Sequence, residues 1–305
     1  MKGSVLLVSV LAVFALLTAG CELFGLVAVS GNVVNVQAPK DQTEYWKGST
    51  SLEGATITMR SMDEDAKTYE GTVKADGTFN VGYVTPGRYE VTGSNSGWTF
   101  VPRIVDVSGF LNTIPPMMAY ETIDSNTILI MVEWTNLNYD VDSYVIRDND
   151  EYPDEVMTPV VGFNYSAGTG YYTDAANKVF LDRDITVNTD KSIPRVETVR
   201  ITGNYQNPEY LRYYIRLFAN TTGLTGDTAN GVKPAGATVY VMKGTEHYGT
   251  FPIAYNTAEQ TIGVVVLKLT GTDPVTWDLG SFGGAWVYGG MKSVAWSPVV
   301  VDKMW

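Results

Sequence analysis

Short runs in which apolar and polar residues alternate are the feature that most restricts how this chain can fold. They recur between Gly, Asn, Pro and Asp residues from about residue 28 onward, for example at Arg88–Thr92. A β-strand turns successive side chains to opposite faces, whereas an amphipathic helix places apolar residues about 3.6 positions apart. After the first 21 residues the sequence shows no such helical spacing. It therefore predicts an all-β protein built from sandwich-type sheets.

Two runs in the C-terminal half indicate how individual strands are placed. Ile128–Trp134 is apolar at nearly every position, which is typical of a central strand buried on both faces. Tyr210–Phe218 alternates instead, with Leu, Tyr and Ile at every second position. The intervening residues Arg212, Tyr214 and Arg216 are therefore predicted to face water.

The chain is long enough for two domains. Its 305 residues can form two separate hydrophobic cores. Phe110–Tyr120 lacks alternation and contains two consecutive prolines, which is typical of a strand edge followed by a stiff linker. We therefore expect two β-sandwich domains in tandem, at residues 28–119 and 120–305.

The first 21 residues differ from the rest of the chain. Val5–Cys21 is almost wholly apolar behind Lys2, and about a dozen apolar residues have the length of a signal-peptide core rather than of a membrane span. The run ends in Leu-Thr-Ala-Gly-Cys and so resembles the lipobox of bacterial lipoproteins. The resemblance implies a signal peptide at 1–20, acylation of Cys21 by palmitate-type chains and a tether at 21–27. An ordinary secretory signal with an incidental cysteine is the alternative.

Charge and composition limit the possible partners and sites. The formal net charge is −12, which disfavours binding to nucleic acid and to anionic lipid headgroups, so that membrane attachment must come from acyl chains. If Cys21 carries lipid, no thiol remains for a disulfide, a zinc site or a nucleophile. His247 is the single histidine. Any bound metal would therefore need oxygen ligands, which indicates calcium or magnesium and no other cofactor.

The region before residue 119 has an ordered set of motifs. Ser30–Val34, Leu52–Ile57, Asp76–Phe79 and Pro86–Val91 follow one another in the order that is typical of carboxypeptidase regulatory-like, prealbumin-type modules, and the region resembles that family. Asp76 and Gly77 are predicted to form the turn of a hairpin. The resemblance implies a seven-stranded sandwich that serves as a spacer or adhesive support.

The region after residue 120 carries a second pattern. A strand ending at Trp134 is followed by Asp140–Asp142, then by Leu181–Asp184, and then by Pro194–Glu197. This order resembles an uncharacterised bacterial periplasmic and surface family, although Val141 stands where that pattern has leucine. The resemblance implies a β-sandwich with no assigned reaction.

Four aspartates in two Asp-x-Asp pairs are the candidate metal ligands: Asp140, Asp142, Asp182 and Asp184. Residues two apart in an extended chain point the same way, so each pair presents two carboxylates on one side. If the pairs meet, their repulsion favours binding of a calcium ion, which takes six to eight oxygen ligands and would pin two inter-strand connections. The alternative is that the pairs lie apart, cap turns and face solvent.

These observations favour a non-enzymatic function. The sequence has neither a Gly-x-Ser-x-Gly nucleophile motif nor a glycine-rich phosphate loop. We therefore expect a binding or spacer module that is lipid-anchored at the cell envelope, on its periplasmic face or at the cell surface. Its candidate cofactor is calcium, and its partner is a protein or a glycan. The alternative is a glycan-binding component or an envelope glycan hydrolase, in which aromatic residues such as Tyr213 and Tyr214 stack on sugars or two carboxylates act as acid and base.

Overall fold

The computed structural model describes residues 25–37, 52–63, 66–109, 111–137, 139–148, 161–164, 170–172, 179–183, 185, 194–202, 209–220, 236–253, 261–270, 276–287 and 290–298. Every regular element in these ranges is a β-strand, so the all-β prediction is confirmed. None of these residues forms a helix with the length and apolarity needed to cross a membrane.

Nine strands precede residue 122: β1 (Val27–Asn35), β2 (Thr56–Ser61), β3 (Thr68–Thr72), β4 (Thr78–Val84), β5 (Gly87–Ser94), β6 (Trp98–Phe100), β7 (Arg103–Val107), β8 (Leu111–Thr113) and β9 (Met117–Glu121). Twelve more are described after it: β10 (Ile128–Trp134), β11 (Tyr139–Asp148), β12 (Gly162–Asn164), β13 (Gly170–Tyr172), β14 (Val179–Arg183), β15 (Val196–Ile201), β16 (Glu209–Asn220), β17 (Ala237–Lys243), β18 (Glu246–Pro252), β19 (Thr261–Thr270), β20 (Thr276–Val287) and β21 (Gly290–Pro298).

The chain forms two compact units that interleave along the sequence. The first unit comprises Met1–Val34 and Lys47–Ala119, and the second comprises Asn35–Trp46 and Tyr120–Trp305. The chain therefore passes from one unit to the other three times, after residues 34, 46 and 119.

Two sheets enclose the core of the first unit. One has the order β4-β1-β9-β6, with β8 parallel to β1, and the other has the order β3-β2-β5-β7. Burial alternates strictly along β7, as expected for a strand with one face on the core and one in water. Both sheets contribute buried side chains to one cluster, among them Val29, Ile57, Phe79, Val91, Phe100 and Met117. The unit is thus a sandwich, with nine described strands rather than the seven that the family resemblance implies.

The Asp76-Gly77 turn lies where it was predicted and closes a hairpin. Gly77 has a φ of +78°, and its N–H donates to the carbonyl oxygen of Lys74 at 2.9 Å. The turn residues are therefore as expected, since glycine adopts positive φ without steric cost. The N–H of Lys74 donates to the carbonyl oxygen of Thr78 at 2.8 Å, so the turn closes a hairpin, and beyond this closing pair β3 and β4 belong to different sheets.

The predicted linker at the end of this region is wrong in part. Met117–Glu121 is strand β9, which lies between β1 and β6, and four of its five residues are buried. A strand covered on both faces has apolar residues at consecutive positions, so it shows no alternation along the sequence. The same absence of alternation led to the linker interpretation.

Gly93 on β5 lies where a side chain would collide with a core ring. A Cβ added there would be 2.7 Å from Cε1 of Phe100 and nearer still to two other carbons of that ring. We expect Gly93→Ala to lower the free energy of unfolding by about 1–3 kcal/mol, because overpacking forces the ring or the strand to move. Urea unfolding of Gly93→Ala beside Ser94→Ala, an exposed neighbour on the same strand, measures this. Equal stabilities of the two variants would contradict the expectation.

Two five-stranded sheets, with a two-stranded sheet of β12 and β13, are described in the second unit. The first has the order β14-β15-β10-β17-β18, and the second has the order β11-β16-β19-β20-β21. Strand β10 lies in the middle of its sheet and all seven of its residues are buried, which confirms the prediction for Ile128–Trp134. One core cluster includes residues of both sheets, among them Ile130, Val132, Val145, Val199, Tyr213 and Ile215.

The outer face of β16 is not exposed to water as predicted. Tyr213 and Ile215 face the core cluster as expected, but Arg212 and Tyr214 on the opposite face are each only 1% exposed. Alternation correctly indicated a strand and its two faces. It could not indicate that the polar face is also covered, because the covering groups come from elsewhere in the chain.

Candidate metal centre

Three buried carboxylates lie together at strand β11, at the end of one sheet of the second unit. Asp140 and Asp142 belong to β11, and Glu197 belongs to β15. One carboxylate oxygen from each lies within 4.8 Å of the others. The residues are 3%, 5% and 0% exposed, respectively. We call these three residues the acidic triad.

An irregularity in the partner strand β16 lies beside the first two members. The pairing passes from Asp140 with Ala219 to Val141 with Leu217, so Phe218 of β16 is the extra residue. Such a bulge bends the strand locally and re-aims the side chains beside it. Strand β11 is also the edge of its sheet, so Asp140 and Asp142 lie at a border rather than in the middle of a ladder.

Glu197 reaches the same place from the opposite sheet. It pairs in register with Val132 of β10 and sits among the core-facing positions of β15. Its Oε2 accepts a hydrogen bond from the backbone N–H of Ser143 at 2.8 Å, and its Oε1 accepts one from the N–H of Ile185 at 3.2 Å. A carboxylate inside an apolar core is costly unless it is hydrogen-bonded, and here both oxygens are. Glu197 thus links the edge of one sheet to the chain that follows β14.

Tyrosine hydroxyls surround the acidic triad. Tyr144 donates to Oδ2 of Asp142 at 3.2 Å, and the Tyr213 hydroxyl shares a hydrogen bond of 2.9 Å with Oγ of Ser143. Burial raises the pKa of Tyr144, and the nearby Asp142 carboxylate raises it further. Burial likewise raises the pKa of Tyr213. Both phenols therefore stay neutral at physiological pH and remain hydrogen-bond donors.

The buried guanidinium group of Arg183 provides positive charge near Glu197. Arg183 is 1% exposed and donates to the carbonyl oxygens of Asn35 and Pro194 at 3.1 and 3.0 Å. Burial lowers the pKa of Arg183, whereas the Glu197 carboxylate raises it. Arginine keeps its proton in proteins, so this buried cation offsets part of the negative charge of the acidic triad.

The structure brings together only part of the predicted aspartate set. Asp140 and Asp142 are close to each other, but they lie within strand β11 and are buried, so they neither cap a turn nor belong to a connection between strands. Asp182 forms a bidentate ion pair with Arg200, at 2.7 and 3.0 Å, and the Arg200 guanidinium stacks on Phe180 at 4.5 Å. Asp184 lies outside the described residues.

Glu197 is the member of the site that the predicted ligand set omits. Two features of the sequence could have indicated it. It falls in the Pro194–Glu197 part of the pattern that resembles the uncharacterised family, and it lies two residues before Val199 and four before Ile201 on the same face of the strand. An acidic residue at a core position of a strand is rare unless it has a specific partner.

The acidic triad is suited to holding a cation and unsuited to hydrolysis. Three carboxylates can supply three to six of the six to eight oxygens that calcium takes. A glycoside hydrolase needs two carboxyl groups on either side of an accessible sugar, with about 5 Å or more between them. Here the closest oxygens are within 4.8 Å and no residue of the triad is more than 5% exposed. The structure therefore gives a glycan no access to these three groups.

Comparisons with known proteins leave the family open. No protein-family model matches the chain, and no curated protein matches it. Among solved structures, a homologue of the telluride resistance protein TerD from Streptomyces coelicolor is 9% identical, with a TM-score of 0.35, over 57% of this chain and 92% of that one. A DUF3823 family protein from Parabacteroides merdae is 11% identical, with a TM-score of 0.23, over 62% and 90%. The major pilin SpaD from Corynebacterium diphtheriae is 10% identical, with a TM-score of 0.25, over 88% and 91%. TM-scores this low do not support an inference about function.

Proposed function

We propose that this protein is a lipid-anchored, non-catalytic binding or spacer module of the bacterial cell envelope, and that a calcium ion bound by Asp140, Asp142 and Glu197 stabilises its second unit. The observation that carries the proposal is the acidic triad, three carboxylates within 4.8 Å and almost completely buried. The lipobox-like ending at Cys21 supports the anchor, and the net charge of −12 disfavours a nucleic-acid partner.

The electrostatic cost of the acidic triad is the reason for invoking a cation. At an effective dielectric constant of about 20, two unit charges 4.8 Å apart repel each other by about 3.5 kcal/mol. Three ionised carboxylates contain three such pairs. Arg183 beside Glu197 offsets part of this repulsion. A divalent cation between the three groups would lower the repulsion further.

Calcium removal should lower the melting temperature of the protein. If the free calcium concentration is 100 times the dissociation constant, binding contributes about 2.7 kcal/mol, which corresponds to a shift of several degrees in a chain of this size. Differential scanning calorimetry with 1 mM calcium and with a chelator measures the shift. Magnesium should produce a smaller shift, because it gives up its water ligands reluctantly.

Two aspartate variants make the calcium experiment specific to the acidic triad. Asp142→Asn removes one charged ligand and should abolish the calcium-dependent shift. Asp182→Asn is the matched control: its carboxylate is paired with Arg200, so the shift should persist. A wild-type protein that melts at the same temperature with calcium and with chelator would refute the calcium proposal.

Lipid attachment has its own test. We expect the mature chain to begin at Cys21 and to carry acyl chains, because two or more chains on one residue give stable membrane binding whereas one gives only marginal binding. Mass spectrometry of the mature N-terminus measures the modification directly. Cys21→Ser should move the protein from the membrane fraction to the soluble fraction. A mature protein with a free thiol at residue 21, or with its N-terminus elsewhere, would contradict the anchor.

A further inference from the structure

The three residues Asn35–Gln37 leave β1 in a turn and become part of the second unit. The N–H of Gln37 donates to Oδ1 of Asn35 at 3.0 Å. This is the Asx turn in which an asparagine side chain replaces a backbone acceptor and changes the chain direction. Asn35 is the last residue of β1 and the first residue that belongs to the second unit.

Each of the three residues then accepts a hydrogen bond from the second unit. The Arg183 guanidinium donates to the carbonyl oxygen of Asn35 at 3.1 Å, and the Thr198 hydroxyl donates to that of Val36 at 2.6 Å. The N–H of Glu121 donates to Oε1 of Gln37 at 3.1 Å. Arg183 and Thr198 are partners in the β14–β15 ladder. The two donors are therefore neighbours across the ladder, and they donate to the carbonyl oxygens of two successive residues.

Burial makes these hydrogen bonds important to the second unit. Val36 and Thr198 are fully buried. Loss of the hydroxyl would leave the carbonyl oxygen of Val36 without its donor, and an unsatisfied buried acceptor costs more than a hydrogen bond at the surface. The Thr198 hydroxyl in turn finds its hydrogen-bond acceptor in this segment, since Thr198 is fully buried and water does not reach it.

We propose that Asn35–Gln37 is a strap that fastens the N-terminal chain to the second unit independently of the connection that enters this unit at Tyr120. The consequence is a second attachment: a single cut between β9 and β10 should leave the second unit bound to the N-terminal part of the chain. If the strap contributed nothing, removing its hydrogen bonds would leave the association of the two fragments unchanged. This inference does not depend on calcium or on lipid.

The experiment uses the chain from residue 21 onward with Cys21→Ser, so that it is soluble. A site-specific protease sequence is inserted between Thr122 and Ile123, on the exposed connection after β9. The protein is cleaved under native conditions and passed over a size-exclusion column at several dilutions. We expect the two fragments to elute together. Separation of the cleaved wild-type fragments at every dilution would overturn the proposal.

Co-elution alone does not identify the strap, because Tyr120 stays on the N-terminal fragment and donates to the carbonyl oxygen of Gly244 at 2.8 Å. Thr198→Val keeps the side-chain shape and removes the donor, so it should weaken the association of the cleaved fragments about tenfold. Thr92→Val, on a half-buried position of β5 in the first unit, is the matched control and should behave as wild type. Equal behaviour of the two variants would overturn the proposal.

Two further variants keep the test decisive. Thr198→Ser retains the hydroxyl and should restore most of the association. If Thr198→Val does not fold, Asn35→Ala removes the side-chain acceptor of the turn that positions the two strap carbonyl groups, and it should weaken the association in the same direction. An Asn35→Ala protein whose fragments associate as tightly as those of wild type would then count against the strap.

Discussion

Replacing Glu197 with alanine should lower the free energy of unfolding of the second unit by about 3–5 kcal/mol. The loss is large because the buried groups that bind the Glu197 carboxylate would lose their hydrogen-bond acceptor and their counter-charge. The partners here are the N–H groups of Ser143 and Ile185 and the buried Arg183 guanidinium. Each of them would be left inside the protein without this acceptor or counter-charge.

The Glu197 experiment is best done in chelator, so that loss of a bound ion does not contribute. Urea unfolding followed by tryptophan fluorescence gives the free energy. Glu197→Gln keeps one carbonyl acceptor and should cost less than Glu197→Ala. Glu246→Ala, at an exposed position of β18, is the control and should change stability by no more than about 0.5 kcal/mol. A loss of under about 1 kcal/mol for Glu197→Ala would mean that the hydrogen bonds described here contribute little.

Trp134→Ala should destabilise the second unit by a similar amount, about 3–5 kcal/mol, for a different physical reason. The ring is 2% exposed and belongs to the core cluster between the two sheets, so truncation removes a large apolar surface and leaves a cavity. Its Nε1 donates to the carbonyl oxygen of Tyr139 at 2.9 Å, which fastens the start of β11 to the end of β10. That bond is also lost in the variant.

Two further variants distinguish the effect of the cavity from the effect of the lost hydrogen bond at Trp134. Trp134→Phe fills most of the space and removes only the donor, so it should cost clearly less than Trp134→Ala. Tyr83→Ala, on an aromatic residue that is 69% exposed on β4, should be nearly neutral. Thermal unfolding of the three variants gives the order. If Trp134→Ala were as stable as Tyr83→Ala, the core position of the ring would be in doubt.

The sequence determined the local features of the fold. The two-residue period indicated strands where the structure has them, and the nearly continuous apolar run Ile128–Trp134 correctly indicated a strand buried on both faces. Two-residue spacing also grouped Asp140 with Asp142, and these two residues do lie together. These inferences succeed because the alternation of side chains along an extended backbone is a property of neighbouring residues.

Tertiary structure decided which of these local features meet. It joined Glu197, more than 50 residues away, to Asp140 and Asp142, and it paired Asp182 with Arg200. It also covered the polar face of β16 at Arg212, and it made Asn35–Gln37 part of the second unit. No local sequence pattern predicts these outcomes. Spacing along a strand tells which side chains share a face, but the groups that cover a face come from strands that pair and sheets that pack at long range.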